Sequence, residues 1–111
     1  MSNKAIELFR QRRTQYALGR NLQATPEQII DLVKEAVRQA PSSFNSQSSR
    51  AVVLLGEQSE KFWELTREAL RPLVPAEAFG TTEAKLASFA AGVGTVLFFE
   101  DQNVELLALL T

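Results

Sequence analysis

Apolar residues recur along this chain in two rhythms. Over Asn3 to Tyr16 the spacing is helical, with Ile6, Phe9 and Arg13 on one face and Ala5, Leu8 and Phe9 forming the apolar side. Thr25-Pro26-Glu27-Gln28 reads as a second helix start: Thr25 as N-cap, Pro26 in the first turn, Gln28 closing a capping box. Ile29, Val33, Ala36, Val37 and Ala40 then follow at helical spacing, and Pro41 ends the run. Ser59 is expected to cap a third helix through about Leu70, with Phe62, Leu65, Ala69 and Leu70 inward, and Thr82 a fourth over Glu83 to Ala91. The second rhythm is unbroken: Ala51 to Leu55 and Thr95 to Phe99 are continuous apolar runs, the pattern of strands buried on both faces beneath flanking helices. Leu18-Gly19-Arg20-Asn21, Gly56, Arg71 to Pro75, Gly92 with Gly94, and Glu100 to Asn103 punctuate the chain. The tail from Val104 to Thr111 is apolar and lacks a cap.

Two strands are too few for an independent sheet, which normally takes three or more with covering layers. The pattern therefore predicts that residues 1–111 are the N-terminal part of a single domain without an internal boundary. The missing strands are expected either from a partner chain or from a longer protein of which this is the front portion, the second being favoured with a partner also needed. No repeat, low-complexity segment or linker interrupts the pattern.

Composition narrows the chemistry. At 45 % apolar and 23 % charged the chain is an ordinary globular sequence. A net charge of −1 gives no reason to expect a nucleic acid or an anionic membrane as partner. No apolar run approaches the roughly 20 residues of a membrane span, and no signal-peptide core follows Met1, so a cytoplasmic location is expected. There is no Cys and no His. Thiol nucleophiles, disulfides, most transition-metal sites and the commonest general base are absent with them. Difficult chemistry would belong to a bound cofactor.

Three features could serve such a cofactor. Arg10-Gln11-Arg12-Arg13-Thr14 places three guanidinium groups beside a hydroxyl, a set suited to phosphate and equally readable as a solvated basic face. The segment from Ala40 to Arg50 carries Ser42, Ser43, Ser46 and Ser48 with the amides of Asn45 and Gln47, between a helix and an apolar strand. Such loops commonly bind ligands, although a plain polar connection has the same composition. Lys85 is expected in the first turn of its helix, solvated or aimed at an anion. Trp63 reads as a packing residue rather than a stacking platform.

Taken in order, Arg12-Arg13-Thr14, Ala40-Pro41-Ser42-Ser43-Phe44-Asn45-Ser46-Gln47, the strand behind it, Thr82-Glu83-Ala84-Lys85 and Ala91-Gly92-Val93-Gly94-Thr95-Val96-Leu97-Phe98-Phe99-Glu100-Asp101 resemble the FMN-dependent nitroreductase family. The likeness is closest to its small branch, related to the fatty-acid-repression-mutant nitroreductases, and covers roughly residues 4 to 103. It implies an α+β fold, a mixed sheet wrapped by helices and incomplete at the C-terminus. It also implies an intertwined homodimer with FMN at the subunit boundary, and hydride transfer from NAD(P)H to nitroaromatic, quinone or related acceptors. Carried over by position, Arg12, Arg13 and Thr14 would bind the phosphate and ribityl end. Pro41, Ser42, Ser43, Asn45 and Gln47, from the other subunit, would meet the isoalloxazine and ribityl groups, and Lys85 would approach the pyrimidine edge. Two departures stand out: Ser48-Ser49 where many members continue Pro-Trp, and Leu106 to Thr111, unlike the family's continuation. The second keeps open an alternative, a catalytically incomplete fragment acting only as a dimerising or binding module.

Overall fold

The computed structural model describes residues 3–104. Helix α1 runs over Lys4–Gln11, α2 over Pro26–Gln39, a single 3-10 turn over Ser43–Asn45, strand β1 over Ser49–Leu55, α3 over Glu57–Leu70, α4 over Ala76–Ala90 and β2 over Gly94–Glu100.

The capping box forms as expected. Gln28 N–H donates to Thr25 Oγ1 at 3.2 Å and Thr25 N–H to Gln28 Oε1 at 2.9 Å, so α2 starts where its sequence dictates. Its C-cap, Ala40, is extended (φ −73°, ψ 135°), the conformation that the following Pro41 requires.

Three boundaries differ from the reading above. Helix α1 stops at Gln11 rather than Tyr16, because eight residues whose apolar face nothing covers barely sustain a helix. Arg12 is its extended C-cap, and Arg13 and Thr14 lie beyond it. Helix α3 begins at Glu57: Gly56, at φ 57°, makes the turn, and its carbonyl accepts from Ser59 N–H and Glu60 N–H. Ser59 is therefore not a cap. It is 2 % exposed, and its hydroxyl pairs with Thr95 Oγ1 at 2.8 Å. Helix α4 begins at Ala76 after Pro75, so Thr82 is internal and Lys85 lies in the helix's second half, away from the N-terminal turn. Gly80, which costs about 1 kcal/mol inside a helix, is carried by tertiary packing. Phe89 sits 5.2 Å from Trp63, Arg71 lies 4.7 Å over the Phe79 ring, and Leu86 is the one buried apolar side chain among the described residues. Trp63 is a packing residue, and its indole N–H donates to Thr95 Oγ1 at 2.9 Å.

β1 and β2 pair antiparallel, Ser49 opposite Glu100 and Leu55 opposite Gly94. A Cβ on Gly94 would stand 2.6 Å from Leu54 O, so the close approach of the two strands there demands glycine. Alternation puts Ser49, Ala51 and Val53 on one face with Phe98, against α2, and Leu54 with Thr95 on the other, against α3. Helices thus flank both faces, but the expected full burial of the strands is not reached: no residue of either strand is buried, Val52 is 43 % exposed and Phe98 69 %. The chain's radius of gyration is 17.7 Å, against about 13 Å for a compact domain of this length. Its accessible surface is 9193 Å², where a compact monomer of 12.3 kDa exposes about 6,100 Å². No described helix is long and apolar enough to cross a membrane.

Candidate functional site

The loop between α2 and β1 is the most constrained irregular segment of the molecule. Phe44, Asn45 and Gln47 all have positive φ (54°, 52° and 54°) without being glycine. Asn tolerates this region; for a bulky residue such as Phe44 it costs about 1–2 kcal/mol. Local hydrogen bonds hold the conformation. Ser42 Oγ accepts from Gln47 N–H at 3.0 Å, and the Ser42 and Ser43 carbonyls accept from Asn45 and Ser46 N–H. Phe44 is left 73 % exposed.

This backbone opens a cleft of about 290 Å³ lined by Val37, Arg38, Ala40, Ser42, Asn45, Gln47 and Ser49. Its polar groups are neutral hydroxyls and amides plus one guanidinium, with no carboxylate among them. Such a wall offers donors and acceptors to a heteroaromatic ring and favours negative over positive charge. Pro41 and Ser43 belong to the same loop without lining the cleft. Arg38 and Ser49 line it and were missed from sequence. Arg38 was discoverable, because it sits next to Val37 on the last turn of α2, the turn that delivers the loop.

The remaining predicted residues are elsewhere. Arg12, Arg13 and Thr14 are exposed, and the hydrogen bond of the Arg13 guanidinium is to the neighbouring Arg12 carbonyl at 2.7 Å. Lys85 is exposed on α4, whose packing partner is α3. One chain therefore assembles the loop half of the predicted site and leaves the guanidinium half and Lys85 outside it.

The base of the loop is bound to the end of β2. Ser48, 1 % exposed, donates to Glu100 Oε2 at 2.5 Å, and Ser49 Oγ donates to Glu100 Oε1 at 3.0 Å. Asp101 N–H donates to the Ser48 carbonyl at 2.8 Å. Arg50 bonds the Gln47 carbonyl at 2.9 Å and faces Asp101 Oδ2 at 3.5 Å. Asp101 Oδ1 also accepts from Asn103 N–H, turning the chain after the strand.

Comparison with known proteins agrees with this architecture. The family model described as the nitroreductase family matches residues 9–108. HBN1 of Saccharomyces cerevisiae, assigned by name to the nitroreductases, is 36 % identical over 95 residues, 84 % of this chain and 46 % of its own length. The nitroreductase CinD of Lactococcus lactis, solved in complex with chloramphenicol, superposes with a TM-score of 0.75 at 40 % identity, covering 96 % of this chain and 55 % of CinD. Its complex with 4-nitrophenol gives 0.71 at 44 % identity over 96 % of this chain and 55 % of that one. A Saccharomyces cerevisiae nitroreductase structure gives 0.70 at 27 % identity, covering 93 % and 56 % of the two chains. The chain spans about half the length of these relatives. With a two-strand sheet between helices, it belongs to the nitroreductase family, on an α+β nitroreductase-like fold.

Proposed function

We propose that this chain is part of an FMN-dependent oxidoreductase that takes hydride from NAD(P)H and reduces nitroaromatic, quinone or related acceptors. The observation that carries this reading is the cleft itself: a left-handed loop presenting Ser42, Asn45 and Gln47, free of carboxylates, in a chain with neither Cys nor His. That donor set fits a flavin. Ring heteroatoms need neutral hydrogen-bonding partners, which these residues supply without a competing negative charge. Bound FMN would supply the redox chemistry.

In this reading Pro41, Ser42, Ser43, Asn45 and Gln47 of one subunit orient the isoalloxazine and ribityl groups. Arg12, Arg13 and Thr14 of the other hold the phosphate, which is nearly doubly negative and suits two guanidinium forks and a hydroxyl. The separation of the two halves within one chain supports assembly from two copies. So does the exposed surface, roughly 3,000 Å² above that of a compact monomer. Lys85 would place its cation toward the pyrimidine edge, stabilising negative charge on the reduced ring. The CinD complexes with 4-nitrophenol and chloramphenicol make nitroaromatics the first acceptors to test. A cytoplasmic location belongs to the same reading.

The test is optical. Purified protein is expected to be yellow, with flavin absorbance near about 450 nm, and to oxidise NAD(P)H when 4-nitrophenol is added. A colourless preparation that also ignores added FMN overturns the reading. A second reading, a dimerising or binding module that keeps the helices but does not complete the flavin site, is favoured by one observation: Arg12, Arg13, Thr14 and Lys85 lie outside the cleft. A stable dimer with bound flavin and turnover excludes it.

A further inference from the structure

We propose that Glu100, at the far end of β2, is a positioning residue for the cofactor-facing loop. Its carboxylate sets the register of Ser48 and Ser49 and, through them, the left-handed conformation that aims Asn45 and Gln47 at the cleft. The part of this proposal that concerns FMN rests on the flavin reading above; the part that concerns the loop does not.

The argument begins with strain. Non-glycine residues at positive φ persist only where their surroundings hold them. Phe44, Asn45 and Gln47 are three in four residues, and the chain has no cysteine to enforce the turn with a disulfide. Local bonds to Ser42 and Ser43 close the turn, and a chain of bonds that converges on one side chain ties it to β2. Both Glu100 oxygens are engaged, Oε2 by the buried Ser48 hydroxyl and Oε1 by Ser49. Because Ser48 gives its proton to Glu100, the 3.1 Å contact between Ser46 and Ser48 runs with Ser46 as donor. Three serines, at 46, 48 and 49, are thereby oriented by a single carboxylate. Gln47 lies inside that bracket, with its N–H on Ser42 Oγ and its carbonyl on Arg50.

A carboxylate is the group this geometry needs. It is acceptor-only and has two oxygens, so it takes both serine protons, and charge-assisted bonds are about twice as strong as neutral ones. An amide in its place would accept one proton and return one of its own. The strand does not depend on this side chain, since the ladder from Ser49–Glu100 to Leu55–Gly94 is a backbone feature. Removing the carboxylate should therefore free the loop and leave the sheet. The same bracket accounts for Ser48-Ser49 after the loop: the first fits a nearly closed space, and both supply the protons that Glu100 accepts.

The test uses the full chain with Glu100→Ala, Glu100→Gln and Ser48→Ala. Two readouts are taken: amide hydrogen exchange at Ser46 and Gln47 without FMN, and FMN titration followed by flavin fluorescence and visible absorbance. Glu100→Ala is expected to speed exchange at both amides by about tenfold or more, with exchange in the β1–β2 ladder unchanged. FMN affinity should fall by about tenfold, with the visible bands of bound flavin shifted toward those of free FMN. Glu100→Gln, which accepts one serine proton but not both, should recover only part of both effects, and Ser48→Ala, which removes one of the two bonds, should lie between Glu100→Ala and the unsubstituted chain. Unchanged loop exchange in Glu100→Ala and Ser48→Ala overturns the proposal, as does a loosened loop with unchanged flavin affinity and spectrum. If the unsubstituted chain binds no FMN, the flavin reading fails, and the exchange data alone decide whether Glu100 holds the loop.

Discussion

The α2–β1 loop and the N-terminal arm carry the two halves of one candidate site, and they are built oppositely. Residues 41 to 50 are tied to β2 by hydroxyl, carbonyl and guanidinium contacts, and adopt backbone angles that cost energy. Residues 3 to 24 are exposed throughout, and among the described residues their one salt bridge to the body is Arg20 with Glu60. A loop that meets a planar ring gains from being held in advance, because ordering it on binding would subtract from affinity. In the proposed assembly, an arm that reaches a phosphate at a second subunit would have its order supplied by that subunit. On the proposed function, preorganisation within the chain and organisation by a partner would divide the site between them.

That division can be broken first at the surface the partner would cover. Phe98→Asp puts a charge on the apolar face shared with Leu32, Val33, Ala36 and Val37, and burying it without a partner costs several kcal/mol. Light scattering should show the dimer replaced by monomer; an unchanged dimer would move the interface elsewhere. Next is the arm. Arg12→Ala and Arg13→Ala each remove charged hydrogen bonds worth about 1.5–3 kcal/mol, so the double variant should lose FMN at least about a hundredfold. Its thermal stability should not change, since both side chains are exposed. Full flavin occupancy in the double variant would refute the phosphate assignment.

Smaller effects sharpen the contrast within the body. Leu86→Ala, at the α3–α4 contact, should cost about 2–3 kcal/mol in urea unfolding, near the lower end for such truncations because the core is small. Lys85→Ala should lower the flavin reduction potential while leaving binding nearly intact, as expected for a cation that stabilises the reduced ring. The smallest effect concerns pH. The hydrogen bond and charge of Arg71 hold the Glu68 carboxyl below its ordinary 4.5. Because that folded-state value is depressed, the pair's contribution is complete above pH 4.5 and disappears as pH falls through the lower, folded value. Glu68→Gln should therefore narrow the difference in Tm between pH 7 and pH 3, slightly, since both groups are solvated.

Much of the fold was legible wherever the signal was local. Thr25, Pro26 and Gln28 announce the start of α2 by groups three residues apart, and Pro41 announces its end. The central runs of β1 and β2, Ala51 to Leu55 and Val96 to Phe99, are visible because consecutive positions are apolar regardless of face. Illegible boundaries were those settled by distant partners. Ser59 has the chemistry of a cap, but Thr95, from β2, takes its hydroxyl. Thr82 likewise resembles a helix start, yet the helix runs back to Ala76, where Phe79 packs under Arg71 at the end of α3.

The same holds for the site. Ser42, Asn45 and Gln47 stand out in sequence by their polarity between two apolar elements, and they do line the cleft. Arg12, Arg13 and Thr14 stand out by charge, and a single chain leaves them apart from it.

By itself, then, the order of residues determined where α2, β1 and β2 lie, which polar side chains stand between two apolar elements, and that two strands would leave apolar surface uncovered. Those properties follow from periodicity, capping chemistry and composition, which act within a few residues. The tertiary structure alone decided that Ser48 and Ser49 close on Glu100, that Gln47 and Asn45 take left-handed backbone, and that Ser59 pins a strand instead of starting a helix. Each depends on a hydrogen-bond partner more than thirty positions away or on the turn that such partners hold, and no local pattern records which partner the folded chain brings near.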